Sequence, residues 1–388
     1  MMRRGFSLLA CMIVLAAAVQ AQQYTKATIY NFKGSPDGTE PLFSGVARDA
    51  NGNFYGTTYS GGAYHQGMVF KISPDGKETV LHSFRGADGS LPDAGVVLDS
   101  AGNLYGTTSQ GGTRAAQCNK GCGVVYKVDP FGNETVVYRF HGGVDGGFPV
   151  AGVIRDSVGN LYGTTQIGGA QSLGAVYKVD NSGNETVLHS FAGGNDGAFP
   201  FACLIRDGAG NFYGTTTEGG PSNTGTVFKL DPSGNETVLY SFGPTSGSDA
   251  QGPRSPVYRD AAGNLYGTSF FGGTRLGGAV YKIDANGHET VLHSFDGNDG
   301  LYPESPLIAD AQGDLYGTTI QGGPAGNNGG VVFKITPDGA LTAIYQFLGG
   351  NDGQNPAAGL LKGAGRKLIG TASMGGTSNN GTVYELVP

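Results

Sequence analysis

The amino-acid sequence predicts an all-β fold, a seven-bladed β-propeller with four antiparallel strands in each blade. Three observations predict it: a motif that recurs roughly every 52 residues, four short β-type runs within each recurrence, and chain ends that complete each other. Glycine is extreme, at 71 of 388 residues, which is a composition that also occurs in disordered chains. The regular recurrence of Val, Ile, Leu, Phe and Tyr favours an ordered β protein instead.

The recurring motif is "NLYGTTSQGG", which begins at Asn103. Close copies begin at Asn53, Asn160, Asn211, Asn264 and Asp314, and a degraded seventh, "RKLIGTASMGG", begins at Arg366. Seven copies indicate seven repeated units, and roughly 52 residues is the size of a four-stranded propeller blade. A right-handed β-helix is the main alternative, but its rungs are usually shorter and lack such hairpins.

The third copy shows the four strands in order. "AGVIRD" at residues 151–156 is the innermost, "NLYGTT" the second, "AVYKVD" the third and "NETVLHSF" the outermost, separated by "SVG", "QIGGAQSLG" and "NSG". In the second strand we expect Tyr to pack on the neighbouring blade and Gly to let a backbone or ring approach closely. Its threonines suit a buried pleated surface, and the following Gly pair suits backbone conformations closed to other residues.

The chain ends predict how the ring closes. "YTKATIYNF" at residues 24–32 aligns with an outermost strand, and the C-terminal "GTVYELVP" stops after a third strand. The N-terminal strand should therefore complete the last blade, which removes the open sheet edges that invite aggregation.

The first 21 residues have the form of a secretory signal peptide. Arg3 and Arg4 precede an apolar run at residues 6–19, and a small-residue cleavage site ends at Ala21. This run of 14 residues is shorter than the roughly 20 needed to span a bilayer. We therefore expect a secreted, periplasmic or cell-surface protein without a membrane span, cleaved near Ala21, with residues 22–388 forming a single propeller domain. Cys11 leaves lipidation as a minor alternative.

The charge of the chain excludes two partner classes. Without Arg3 and Arg4, 22 basic residues stand against 31 acidic ones, and no Lys/Arg run occurs. An acidic chain of this kind is a poor candidate for binding nucleic acid or anionic lipid. The sequence also lacks G-x-S-x-G, H-E-x-x-H, C-x-x-C and P-loop motifs, so we expect no cofactor and no metal. A monomer is favoured, although the oligomeric state does not follow from the sequence.

The repeat resembles the GloVer tandem-repeat family of exported bacterial proteins. The resemblance rests on "DGAFP", "NFYGTTTEGG", "GTVFKLDPSG" and "ETVLYSF" between Asp196 and Phe242, and on their copies along the chain. It implies an exported protein with a propeller-like repeat, often followed by a C-terminal anchor, and it supplies no catalytic residues. The chain departs from that pattern at Pro388, which ends the last repeat, so no anchor is expected.

Residues that recur in every blade should serve the scaffold. The most regular element is Asp-Gly-x-x-Pro before each innermost strand, beginning at Asp37, Asp88, Asp145, Asp196, Asp249, Asp299 and Asp352. Seven carboxylates around one mouth could bind Ca²⁺ or act as acid and base, but we favour Asp as an acceptor of backbone N–H groups in a tight turn. Arginines at the innermost strands are expected to pair with the turn aspartates that follow them. The outer-strand residues that alternate between His and Tyr are expected to be half-buried and structural.

Asymmetric residues are better candidates for a site, and they concentrate in the loops between second and third strands. In a propeller we expect these loops to share one face with the Asp-Gly-x-x-Pro loops. The longest of these loops is "TRAAQCNKGC" in blade two. The candidate ligand-binding residues are Tyr64, His65, Arg114, His141, Phe270, Phe271 and Arg275. We hypothesise a non-enzymatic protein that binds a polysaccharide or a surface protein with this face. The alternative is a glycan-cleaving hydrolase or lyase that uses rim carboxylates and His65 or His141.

The cysteines give one further expectation. Cys118 and Cys122 lie in the longest loop, where Gly121 gives the backbone freedom to bring them together, and export places them where disulfides persist. We therefore expect a Cys118–Cys122 disulfide. Cys203, on an innermost strand, is expected to be a buried and inert thiol. A metal site at the pair is the alternative, with His141 as the only nearby third ligand.

Overall fold

A computed structural model describes residues 24–43, 45–244, 249–324 and 326–388. Seven antiparallel sheets, each with four main strands, form the blades of a propeller, so the predicted fold is confirmed. The expected signal peptide, residues 1–21, lies outside the described residues. Within them, no helix is long and apolar enough to cross a membrane.

The two inner strands of each blade carry the recurring motif. The innermost strands have only two residues each: Ala47–Arg48, Val97–Leu98, Ile154–Arg155, Ile205–Arg206, Tyr258–Arg259, Ile308–Ala309 and Leu361–Lys362. The second strands are Phe54–Thr58, Leu104–Thr108, Leu161–Thr165, Phe212–Thr216, Leu265–Ser269, Leu315–Gln321 and Leu368–Ala372.

The two outer strands complete each blade. The third strands are Met68–Ile72, Val124–Val128, Ala175–Val179, Thr226–Leu230, Ala279–Ile283, Val331–Ile335 and Thr382–Val387. The outermost strands are Glu78–Ser83, Glu134–Arg139, Glu185–Ser190, Glu236–Ser241, Glu289–Ser294, Leu341–Gln346 and, in blade seven, Thr25–Asn31. The remaining elements lie in loops: strands Gly38–Thr39, Ser60–Gly61, Ala250–Gln251, Phe271–Gly272 and Leu301–Pro303, and 3-10 turns Gly194–Asp196, Gly350–Asp352 and Ala364–Arg366.

Ring closure follows the expectation from the chain ends. Strand Thr25–Asn31 pairs antiparallel with Thr382–Val387 and so completes blade seven. Phe32 is fully buried, and its N–H donates to the carbonyl of Gly381 at 3.1 Å. The ring of Phe32 then packs edge-on against Phe70 of blade one, with centroids 5.2 Å apart. The first segment of the chain thereby joins the last blade to the first.

Aromatic contacts join every pair of neighbouring blades. A buried Phe at the end of each outermost strand meets an aromatic ring on the third strand of the next blade, with centroids 5.0 to 5.3 Å apart. The pairs are Phe32–Phe70, Phe84–Tyr126, Phe140–Tyr177, Phe191–Phe228, Phe242–Tyr281, Phe295–Phe333 and Phe347–Tyr384. Edge-to-face packing of this kind adds to the free energy gained by apolar burial.

The recurring "YGTT" makes these interfaces possible. A Cβ at Gly106 would lie 2.4 Å from the hydroxyl oxygen of Tyr126, so only glycine leaves room for that ring on the paired strand. The hydroxyl of Thr107 donates to the carbonyl of Ala151 in the next blade at 2.8 Å, and the first motif threonine does the same in all seven blades. The motif recurs because each copy must join its blade to the next.

The motif tyrosine has a more specific role than the expected packing on the neighbouring blade. The hydroxyl of Tyr105 donates to the carboxylate of Asp99, in the turn before its own strand, at 3.1 Å. The guanidinium of Arg155, from the next blade, lies 5.4 Å from the centre of the Tyr105 ring. The tyrosine therefore fixes a turn within its blade and also supports a cation–π contact between blades.

Candidate functional site

The loops between second and third strands share one end of the propeller with the Asp-Gly-x-x-Pro loops, as the sequence predicts. Short bridges join the two kinds of loop within a blade, at Ser90–Gln110, Gly147–Ile167, Ala198–Glu218 and Gln354–Met374. We call this end the loop face. The short Asp-containing turns between innermost and second strands lie at the opposite end.

The seven loop aspartates are turn acceptors. The carboxylate of Asp145, for example, accepts the backbone N–H of His141 at 2.8 Å and the hydroxyl of Tyr138 at 3.0 Å. Each of the seven accepts a backbone N–H close before it. Each also bonds the half-buried outer-strand residue, in the pairs Tyr30–Asp37, His82–Asp88, Tyr138–Asp145, His189–Asp196, Tyr240–Asp249, His293–Asp299 and Tyr345–Asp352. The geometry therefore agrees with the structural role rather than with a ring of catalytic acids.

A second carboxyl group approaches five of these aspartates from the next blade. These groups are Glu78, Glu134, Glu185, Glu236 and Glu289, the first residues of their outermost strands. In each, the Oε1 atom is buried without a hydrogen-bond partner. Burial, followed by the charge of the neighbouring aspartate, raises the pKa of the first four to about 7 and that of Glu289 to about 8. Lys26 occupies the equivalent position in blade seven and pairs with Asp352 at 3.3 Å.

The arginines of the innermost strands do not make the contact expected from the sequence. Among the described residues, no ion pair joins Arg155 to Asp156 or its equivalents to theirs, because the turn carboxylates are already occupied. Asp156 accepts the backbone N–H and side-chain amide of Asn160 and the hydroxyl of Tyr162 at 2.8 to 3.0 Å. The guanidinium groups of Arg155, Arg206 and Arg259 instead lie over the tyrosine rings of the preceding blade, 5.4 to 5.7 Å from their centres.

A large open cleft lies on the loop face between blades one and two. Its volume is about 1080 Å³. One wall is formed by the loops around Tyr64 and Arg85 in blade one, and the other by Gln110 and the long blade-two loop. Its described lining consists of Tyr64, Gln66, Arg85, Gly86, Ala87, Ser90, Leu91, Gln110, Gly112, Arg114, Asn119 and Lys120.

The cleft is cationic and polar. Arg85, Arg114 and Lys120 are exposed, and the described lining contains no carboxylate and no histidine. The Arg85 guanidinium lies 5.1 Å from the centre of the Tyr64 ring, which is 48% exposed. Gln66, Gln110 and Asn119 add amide groups that donate and accept hydrogen bonds. Such a surface can bind an anionic ligand with several hydroxyl groups.

The blade-two wall is held in place by covalent and backbone bonds. The sulfurs of Cys118 and Cys122 are bonded to each other, with Cα atoms 5.1 Å apart, and both residues are buried. The N–H of Cys122 donates to the carbonyl of Thr113 at 2.8 Å, and that of Gly111 donates to Lys120 at 3.1 Å. The cations of this wall therefore project from an ordered loop, which lowers the entropy lost on binding.

The other candidate residues do not join this cleft. His65 is exposed, with a φ of 56°, and His141 bonds Asp145 through Nδ1 at 2.9 Å. Arg275 forms an ion pair with Asp296. Of the seven residues chosen from the sequence, the structure brings Tyr64 and Arg114 together, whereas the others lie elsewhere on the loop face.

The two candidate phenylalanines belong to an aromatic cluster of blades five and six. The ring of Phe270 stacks on Tyr302 with centroids 4.9 Å apart, and Arg254 lies 4.1 Å above the Phe270 ring. Arg254 also forms an ion pair with the buried Glu304 at 3.0 Å. Phe270 is thus enclosed by its own neighbours, whereas Phe271 is 47% exposed to solvent.

A small cavity lies at the centre of the ring. Its volume is about 80 Å³, and it lies among innermost residues of several blades, with Phe43, Phe201 and Pro306 in its lining. Cys203 also lines this cavity and is half-buried rather than fully buried as expected. Burial raises the pKa of its thiol to about 11, so the thiol stays protonated and unreactive near neutral pH.

Sequence reasoning missed two of the three cations of the cleft. Arg85 directly follows the buried Phe84, and Lys120 lies inside the long blade-two loop. The length of that loop was the available signal for Lys120. Arg85 gave none, because its place at the cleft depends on how blades one and two pack against each other.

Comparisons with known proteins agree with the fold. A family model described as the Gloeobacter/Verrucomicrobia repeat matches residues 18–209 and 194–384. The extracellular domain of a one-component system from B. thetaiotaomicron is similar in structure, with a TM-score of 0.58 and 12% identity over 93% of this chain and 40% of that one. This chain thus spans less than half the length of that structure. No curated protein matches the sequence.

Two enzymes show weaker structural similarity. A gluconolactonase from Xanthomonas campestris matches with a TM-score of 0.44 and 16% identity, over 79% of this chain and 90% of that one. A luciferin-regenerating enzyme matches with a TM-score of 0.45 and 12% identity, over 94% of this chain and 95% of that one. At these values the similarities carry no information about activity.

Proposed function

The chain belongs to the Gloeobacter/Verrucomicrobia repeat family, and from that premise we propose that it is an exported, non-enzymatic β-propeller that binds an acidic polysaccharide in the cleft between its first two blades. One observation carries the proposal: Arg85, Arg114 and Lys120 line the cleft, whereas its described lining contains no carboxylate. The chain as a whole has 31 acidic and 24 basic residues. The cationic cleft attracts polyanions, and the excess of acidic residues in the rest of the protein repels them.

The size and polarity of the cleft favour a chain of sugars over a small anion. A volume of about 1080 Å³ exceeds what a single phosphate or carboxylate ligand needs. Neutral amides beside the cations suit sugar hydroxyl groups, and the exposed face of Tyr64 suits the apolar face of a pyranose ring. Export, which rests on the expected signal peptide, would bring the protein into contact with such polymers.

The geometry does not favour the alternative of a hydrolase or lyase. Glycoside hydrolysis normally requires two carboxyl groups on either side of the bond to be cleaved. The described lining of the cleft has no carboxyl group and no histidine, and the loop aspartates are already bonded within their turns. His65 and His141 do not contribute to that lining.

The proposal is tested by measuring retention of soluble polysaccharides by the purified protein. Polygalacturonate and a sulfated glycan should be retained and neutral dextran should not, and retention should fall as salt is raised because screening weakens the charge contacts. The variant Arg114→Gln/Lys120→Gln loses two exposed charge contacts of about 1 kcal/mol each, so affinity should fall about 30-fold.

A matched control removes the same charge from the opposite end. Lys77 and Arg366 are exposed there, and Lys77→Gln/Arg366→Gln should bind as tightly as the unaltered protein. Equal retention of neutral and acidic polymers, or equal loss in both double variants, would contradict the proposal. Release of new reducing ends from a retained polymer would show that the protein is an enzyme.

A further inference from the structure

Three potential metal ligands meet on the loop-face side of the interface between blades one and two. His82 is on the outermost strand of blade one, Asp88 is in the following loop, and Glu134 begins the outermost strand of blade two. One ligand atom from each lies within 4.8 Å of the other two, and among the residues the structure describes this is the one group of three that does so. Nε2 of His82 is 3.1 Å from Oδ2 of Asp88.

From this geometry we propose that His82, Asp88 and Glu134 form a binding site for a zinc ion. One imidazole nitrogen and two carboxylate oxygens are ligands that Zn²⁺ accepts, and three protein ligands with water as the fourth is an established form of zinc coordination. The imidazole argues against Ca²⁺, which takes six to eight oxygen ligands.

The site has an unpaired carboxylate oxygen, as do the four other interfaces with this glutamate, and only here, among the described residues, do a histidine and an aspartate place their ligand atoms close enough to share an ion with it. Oε1 of Glu134 is buried and has no hydrogen-bond partner, a costly arrangement for a carboxylate unless a cation or a proton is present. The side chains of His82 and Asp88 are 14% and 19% exposed, so an ion can reach them from solvent.

Two arginines near the site have partners of their own. The guanidinium of Arg85 lies over the ring of Tyr64, and that of Arg139 donates to the carbonyl of Ala87. Both repel a metal ion at some distance, and neither occupies the ligand atoms.

The other blade interfaces form a natural series of incomplete sites. His189, Asp196 and Glu236 repeat the three residue types, but their ligand atoms do not all fall within the same 4.8 Å. His293 and Asp299 lack the glutamate, because Leu341 stands in its place. Tyrosine replaces the histidine in four interfaces, as in the pair Tyr138–Asp145. The fold therefore tolerates each of the substitutions needed to test the site.

The position of the site links it to the cleft. Asp88 belongs to the same loop as Arg85, Gly86, Ala87 and Ser90, which line the blade-one wall. A zinc ion held by Asp88 and Glu134 would tie that wall to blade two. The proposed metal site does not require the proposed polysaccharide function, since it is tested by binding of the ion alone.

The test is calorimetric titration of ZnCl₂ into untagged protein that has been stripped with a chelator. We expect one zinc ion per chain. His82→Tyr recreates the residues found at the interfaces that have tyrosine. It should lower the affinity for zinc at least about 100-fold, because losing a metal ligand costs more than losing a group that hydrogen-bonds to a ligand. Glu134→Leu recreates the interface of blades five and six and should have a similar effect.

The control is His293→Tyr, at the interface that has no glutamate, which should leave zinc binding unchanged. Co²⁺ bound in place of zinc should give visible absorption bands that disappear in Glu134→Leu, while thermal unfolding verifies that every variant is folded. Absence of zinc binding by the unaltered protein would overturn the proposal. Binding that survives His82→Tyr, or that is lost in His293→Tyr instead, would also overturn it.

Discussion

The paired carboxyl groups between blades should make the stability of the protein fall as pH rises. Glu185 faces Asp145 and Glu289 faces Asp249, and in each glutamate Oε1 is buried without a partner. Two ionised carboxylates have no hydrogen-bond donor between them. When Glu289 is protonated, its carboxyl O–H can donate a hydrogen bond to Asp249. Protonation therefore stabilises the folded interface, and ionisation places two negative charges in a half-buried space.

The direction follows from the pKa values. Burial and the adjacent aspartate raise the pKa of Glu78 and Glu185 to about 7 and that of Glu289 to about 8, from 4.5. A raised pKa contributes stability that is fully present below pH 4.5 and is lost as pH rises through the folded-state value. The free energy of unfolding should therefore decrease between pH 5 and pH 8.

The magnitude is modest for each site. One pKa unit corresponds to about 1.4 kcal/mol, and half-exposed positions require a large discount for screening, which leaves about 1 kcal/mol per glutamate. Glutamine keeps the shape and cannot ionise. The triple variant Glu78→Gln/Glu185→Gln/Glu289→Gln should therefore match the unaltered protein at pH 5 and exceed it by about 3 kcal/mol at pH 8, or about 4 °C in Tm for a chain of this size.

The assay is thermal unfolding followed by circular dichroism across that pH range. The exposed Glu218 provides the control, since Glu218→Gln should keep the pH dependence of the unaltered protein. A triple variant with the same slope of Tm against pH as the unaltered protein would refute the reasoning. So would a Tm that rises between pH 5 and pH 8.

Three further predictions concern the scaffold. Tyr177→Phe should leave Tm unchanged or raise it, because the buried hydroxyl has no hydrogen-bond partner and phenylalanine fills the same position in three other blades. A fall of several degrees would mean that the hydroxyl is hydrogen-bonded. Deleting residues 24–32 should abolish cooperative unfolding or cause aggregation, because blade seven loses its outermost strand; a truncated protein that melts like the full chain would disprove the closure. Mass spectrometry after alkylation without reduction should find Cys203 modified and Cys118 and Cys122 protected, whereas three modified cysteines would rule out the disulfide.

The fold was predictable because the same pattern of strand and turn residues occurs in each of the seven repeats. One copy of "NLYGTT" would not distinguish a hairpin in a propeller from a hairpin in another β fold. Seven copies fixed the blade count, and the alignment of residues 24–32 with an outermost strand fixed the closure. The turn role of the aspartates followed from the same regularity.

Contacts between blades were harder to predict, because they join residues far apart in sequence. Arg155 was expected to pair with its neighbour Asp156, but it lies over Tyr105 of the preceding blade. Local charge patterning does not reveal that Asn160 and Tyr162 already occupy the Asp156 carboxylate.

The candidate site was predictable only in part for the same reason. The unusual length of the blade-two loop pointed to Arg114. Tyr64, in the neighbouring blade, was chosen because it is not repeated in the other blades. Arg85 and Lys120 also line the cleft, although neither was chosen from the sequence. Phe270, which was chosen, is enclosed by Arg254 and Tyr302. Exposure of an aromatic residue depends on its neighbours in space, which the sequence of a single loop does not show.

The most direct test of the central claim is amide hydrogen exchange of the protein with and without polygalacturonate. The account predicts slower exchange at residues 85–91 and 110–123, the two walls of the cleft, with little change elsewhere. Arg114→Gln/Lys120→Gln should lose this protection at the same polymer concentration. Protection confined to residues 270–276, or to the turns at the opposite end, would contradict the account.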